Sequence, residues 1–115
     1  MLIHNREIKF LLTTGAMMEI AEACPGGDLK NISEAMEGTA GSFKTIAKMA
    51  AAMSKWYEMT QAFSHGGYEG HPLTYEECLT LDPADFAQLT QEVMDAFTAG
   101  RDTVIETEPV KKKEE

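Results

Sequence analysis

The chain has 115 residues, a length that makes one domain, and its 43% hydrophobic content is enough for one modest core. Its 19 Asp+Glu against 10 Lys+Arg give a net charge of -9, and the one basic run, Lys111-Lys112-Lys113, is followed by Glu114-Glu115; this excludes the counterion displacement that holds nucleic acid and leaves nothing for an anionic membrane. No apolar stretch approaches the ~20 residues of a bilayer span and the N-terminus lacks the order of a signal peptide, so a cytoplasmic protein is expected, with Cys24 and Cys78 as free thiols.

In chain order, Leu2-Ile3 and the alternating run Glu7 to Thr13 flank His4-Asn5-Arg6, a turn in which Asn tolerates left-handed backbone. The reading is a hairpin whose second strand spans 7–13 with Ile8, Phe10 and Leu12 inward, laid on helices because two strands alone are marginal in water. Thr13 or Thr14 then caps a helix with Met17, Ile20, Ala21 and Cys24 on one face, stopped by Cys24-Pro25-Gly26-Gly27. Asp28 caps a short second helix with Leu29, Ile32 and Met36 inward, and Gly38-Thr39-Ala40-Gly41 reads as a loop.

The longest predicted helix covers 42–64. One stripe is Phe43, Ile46, Ala47, Ala50, Met53 and Tyr57; a second beside it is Met49, Trp56, Met59 and Phe63. A loop follows over 64–72. Thr74-x-x-Glu77 has the spacing of a capping box and opens a helix carrying Cys78 and Leu79. Asp82-Pro83 opens the last helix, with Phe86, Leu89, Val93, Met94 and Phe97 inward and Gly100 as its stop. A brief strand is expected over 103–107. The fold class is therefore mainly α (α+β), a single helical domain over 1–108 with an N-terminal β-hairpin, and a charged, unstructured tail over 109–115.

No phosphate-cradling, dinucleotide, nucleophile-elbow or zinc-protease motif is present, and no catalytic residue, cofactor or metal is assigned. His4, His65, His71, Cys24 and Cys78 match no zinc-ligand frame. Cys24 falls at a helix C-terminus, where the dipole disfavours a thiolate. The pairs Glu19 with Glu22, Glu34 with Glu37 and Glu76 with Glu77 read as solvated surface charge. What remains is the breadth of the long helix: Met49, Met53, Trp56, Tyr57, Met59 and Phe63 are the candidate partner-binding residues, since polarizable and aromatic side chains adapt to an apolar partner surface.

The run Arg6-Glu7-Ile8-Lys9-Phe10-Leu11-Leu12-Thr13-Thr14-Gly15-Ala16-Met17-Met18-Glu19-Ile20, followed by Cys24-Pro25-Gly26-Gly27-Asp28-Leu29, resembles the tail assembly chaperones of long-tailed bacteriophages and prophages. Pro72-Leu73-Thr74-Tyr75-Glu76-Glu77 and Leu81-Asp82-Pro83-Ala84-Asp85-Phe86 are similar to their helical second half. The resemblance, which reaches about Gly100, implies a non-enzymatic protein that binds the tape measure protein, keeps it soluble and helps the tail tube protein polymerise around it. It also implies a protein absent from the finished virion, with a longer frameshifted form that recruits tube subunits. A homo-oligomer through the long helix would use the same stripe. The alternative from the composition is a small acidic regulator of antitoxin or anti-repressor type, its carboxylates covering a basic target.

Overall fold

The computed structural model describes residues 1–66 and 71–113, with side chains described for 1–64, 66 and 71–100. Strands β1 (Leu2–Ile3) and β2 (Arg6–Glu7) form an antiparallel hairpin with Leu2 opposite Glu7 and Ile3 opposite Arg6. His4 (φ 50°) and Asn5 (φ 66°) are both left-handed, the two-residue turn whose twist suits the strands it joins. The second strand is shorter than its alternation predicts. Pairing across the hairpin reaches Ile8, whose amide donates to the Met1 carbonyl at 2.8 Å, and beyond it the chain crosses the helices, with the Leu11 amide donating to the Met53 carbonyl at 3.3 Å. The alternation itself holds: Ile8 is buried and Phe10 and Leu12 half-buried, while Glu7 and Lys9 face solvent.

Helix α1 (Thr14–Glu22) begins where Thr13 Oγ1 accepts from the Ala16 amide, satisfying one of the donors that a helix start leaves free. A tight turn over Pro25–Gly27 ends that segment. Asp28 then accepts from the Lys30 amide, but it opens a single tight turn over Leu29–Asn31 before the four-residue α2 (Ile32–Ala35). Ile32 is buried there.

Helix α3 (Gly38–His65) is 28 residues long, so it spans about 42 Å at 1.5 Å per residue. The run 38–41, predicted as a loop, is its first turn. Packing overrides the weak helix propensity of Gly-Thr-Ala-Gly, because buried Thr45 donates to the Ala35 carbonyl at 2.9 Å and ties the start of α3 to the end of α2.

Two further helices complete the chain. In α4 (Tyr75–Leu79) both halves of the capping box form: Thr74 Oγ1 accepts from the Glu77 amide and Glu77 Oε1 from the Thr74 amide, each at 3.1 Å. The segment before it lies over α3, where buried Ser54 accepts from the Leu73 amide at 2.9 Å. Helix α5 (Pro83–Lys113) starts at Asp82, whose carboxylate accepts from the Asp85 amide at 2.8 Å.

Gly100 does not stop α5, and residues 103–107 are helical rather than a strand. The glycine serves a close approach instead: a Cβ at position 100 would lie 2.6 Å from Leu12 Cβ, so the bare backbone is what lets the extended segment cross the helix. The predicted tail is helical through Lys113, and Glu114-Glu115 lie outside the described residues.

The core lies where α1, α3 and α5 meet, around Ile3, Ile20, Ile46, Met49, Met53, Leu89, Val93 and Phe97. The hairpin is pinned to it from two sides. The Met1 ammonium pairs with Glu7 at 2.6 Å and with Glu92 of α5 at 3.3 Å. Arg6 pairs with Glu77 at 2.5 Å and donates to the His71 carbonyl. The chain is thus mainly α with a short hairpin packed on the helices, as predicted.

Candidate functional site

The six residues singled out on the long helix do not form one surface. Met49 and Met53 are fully buried, so they are core and cannot meet a partner. Trp56, Tyr57 and Met59 are half-buried, and Phe63 is 83% exposed. Between Lys55 and Ser64 no residue of α3 is buried, whereas nine of the ten between Thr45 and Ser54 either are buried or, at Ala51, half-buried, with Lys48 alone exposed. Both stripes are therefore interior in the middle of the helix and open toward its C-terminal end.

Trp56 has a structural task within this opening. Its indole lies on Gly15 so closely that any Cβ there would penetrate the ring, and its Nε1 donates to the Glu19 carboxylate. The same carboxylate pairs with Lys55 at 2.5 Å, and the Lys55 ammonium stands 5.5 Å from the centre of the Trp56 ring. The cluster joins α1 to α3. Trp56 thus holds the fold as well as bordering the open face, whereas Met59 is half-buried and Phe63 largely exposed.

A second apolar patch was not legible in the sequence. At the opposite end of α3, Phe43 is 44% and Leu79 50% exposed, and with Leu81, Pro83 and Phe86 they rim a hollow of about 150 Å³ above buried Cys78. Phe43 and Phe86 meet edge to face with ring centres 5.0 Å apart. The pattern placed Phe43 on the inward stripe; it has that direction but lies beyond the core's end.

A third feature combines charge with apolar surface. Along one side of α3 a groove of about 470 Å³ is lined by Ala23, Ala51, Ala52, Leu73 and Tyr75, with Lys48, Lys55 and Glu19 as its charged groups. These lysines are two turns apart on one helix face. Helix α3 carries Lys44, Lys48 and Lys55 against Glu58 alone, a local excess of positive charge in a chain of -9. Lys48 has no ion-pair partner among the described residues.

Burial pushes the Cys78 thiol up to about 12, and burial with the nearby Asp28 charge raises Cys24, so both are weak nucleophiles. Glu77 is held below the ordinary carboxylate range: burial raises it, but the Thr74 amide and the Arg6 guanidinium together lower it by more. Among the described residues no three His, Cys, Asp or Glu side chains gather as a metal site. Of the histidines, His4 bonds Thr80 Oγ1 at 2.9 Å and His71 is exposed with its carbonyl accepting from Arg6, while the His65 side chain lies outside the described residues. No helix of the described chain is long and apolar enough to cross a membrane. Compared with protein-family models, with curated proteins and with solved structures, the chain matches none.

Proposed function

We propose that this protein is a client-binding protein of the phage tail-assembly-chaperone type, which covers apolar helical surface of a tape measure protein, keeps it soluble and presents it to the polymerising tube protein. The observation that carries the reading is the course of α3 beyond the core, which leaves Trp56, Tyr57, Met59 and Phe63 partly or largely in solvent on a single helix end. A long aromatic side chain at 83% exposure contributes nothing to the monomer's core, and apolar surface kept open in this way is characteristic of a partner-binding face. The strongly anionic exterior keeps a loaded complex in solution.

Co-expression with a tape measure protein tests this. Because Trp56 also joins α1 to α3, the informative variant is the double change Met59→Gln with Phe63→Asp, which touches no buried residue. The expected result is loss of client from the soluble fraction, with the chaperone's own helicity and melting temperature unchanged. Retention of soluble client by that folded variant would remove α3's free end as the binding face.

A further inference from the structure

The groove beside α3 sets three alanines next to two lysines, Lys48 and Lys55, with Glu19, the ion-pair partner of Lys55, as the one carboxylate in its lining. Ala23, Ala51 and Ala52 present only methyl groups, which leaves room for the backbone of a second helix to approach α3, and Leu73 lines the groove beside them. Lys55 is oriented by its 2.5 Å pair with Glu19, but an ammonium has three donors and keeps capacity for another carboxylate. Lys48, two turns earlier, is exposed and unpaired among the described residues. On a chain of -9 an anionic partner is repelled over most of the surface, whereas in this groove two lysines against one carboxylate leave a local excess of positive charge beside apolar side chains.

From this charge complementarity we infer that the groove binds an acidic amphipathic helix, one whose small apolar stripe lies on the alanines and whose carboxylates, two turns apart, meet Lys48 and Lys55. The spacing selects a helix. Seven residues of α3 rise about 10.5 Å, which carboxylates at i and i+7 of a helix lying along it reproduce on one face. An extended peptide covers that distance in about three residues, which puts its two carboxylates on opposite faces. The inference rests on the client-binding reading and adds to it the client's chemistry: an alanine- or leucine-striped helix edged with Glu or Asp.

The test uses the intact protein and two synthetic, labelled Ala/Leu-rich helical peptides of about 20 residues, long enough to hold helix. One carries Glu at two-turn spacing beside the stripe, and the other carries Lys at the same places. Fluorescence anisotropy at low salt is expected to show the Glu peptide binding about tenfold or more tightly than the Lys peptide, with the gap narrowing as salt is raised. Lys48→Glu, at an exposed position that leaves the fold intact, is expected to invert that order, and Ala51→Leu to weaken both peptides by filling the groove.

Equal affinities for the two peptides, or no binding of the Glu peptide, would overturn the inference. So would a Lys48→Glu variant that behaves as the wild type. If Phe63→Asp abolished binding while Lys48→Glu did nothing, the groove would be ruled out and the free end of α3 would stand as the client face, so the two readings fail separately.

Discussion

The middle and the C-terminal end of α3 are built from the same kinds of residue and behave differently. Met49 and Met53 have no exposed surface, whereas Met59, six residues beyond Met53, is half-buried and Phe63 is largely in solvent. The difference lies in what faces each segment. Over 45–54 the helix is surrounded by α1, the extended segment, the chain before α4 and α5, with even its polar Thr45 and Ser54 bonded inside. Beyond Trp56, which still packs on α1, the cover thins: residues 57–62 are half-buried and Phe63 and Ser64 are exposed. Apolar side chains are in the core only where the chain supplies an opposing surface, so breadth of an apolar stripe around a helix says less than its position along it.

The most direct way to break this comparison is to truncate the two methionines in parallel. Met53→Ala removes a fully buried side chain and is expected to destabilise the fold by about 2–5 kcal/mol in denaturant unfolding, while Met59→Ala changes stability by less than about 1 kcal/mol. Equal losses would show that the free end is as well packed as the middle.

The boundary between the regions is the contact of Trp56 with Gly15. Gly15→Ala forces a methyl into the indole and is expected to lower stability by about 1–3 kcal/mol. The same change in a Trp56→Ala background should cost much less, a non-additivity that a double-mutant cycle reads directly. Additive losses would mean that the ring and the glycine do not share a site.

A smaller effect is expected at the clasp that helps to wall in the middle of the molecule. The Arg6 and Glu77 side chains are about one-third exposed, so Arg6→Ala should lose less than about 1 kcal/mol at neutral pH. Because Glu77 is held below its ordinary 4.5, the clasp contributes above that value in full and is lost as pH falls through the lower folded value. The gap between wild type and variant should therefore close under acid conditions in pH-dependent unfolding. A gap that widened on acidification would contradict the assigned pairing.

The smallest effect sharpens the comparison from the other side. Phe63→Ser is expected to leave the melting temperature essentially where it was, a stability change within about 0.5 kcal/mol, because the ring packs on so little. A large loss would mean that the side chain has a place in the monomer.

Much of the fold was legible because its signals are local. Thr13, Asp28, Thr74 with Glu77, and Asp82 before Pro83 each satisfy backbone amides within a few residues, and a left-handed Asn5 turns the hairpin. The candidate site was legible only in part. Phe63 and the half-open Trp56, Tyr57 and Met59 lie on the open end, whereas Met49 and Met53, on the same two stripes, lie where the core closes over the helix. The hollow beside Phe43 and Leu79 was missed because it joins three separate elements. The lysine-lined groove left a trace that was not used, the spacing of Lys44, Lys48, Ala51 and Lys55 along one face of α3.

The amino-acid sequence by itself determined the hairpin turn, the caps that open α1, α4 and α5, and the direction of the inward apolar side chains of the helices, since these depend on neighbours within a turn or two. Tertiary structure decided how far the core reaches along α3, why Gly15 and Gly100 carry no side chain, and why α5 continues where a glycine promised an end. Those outcomes depend on distant segments brought into contact: Trp56 against Gly15 and Leu12 against Gly100 need a bare backbone there, and no local pattern encodes which residue will arrive opposite.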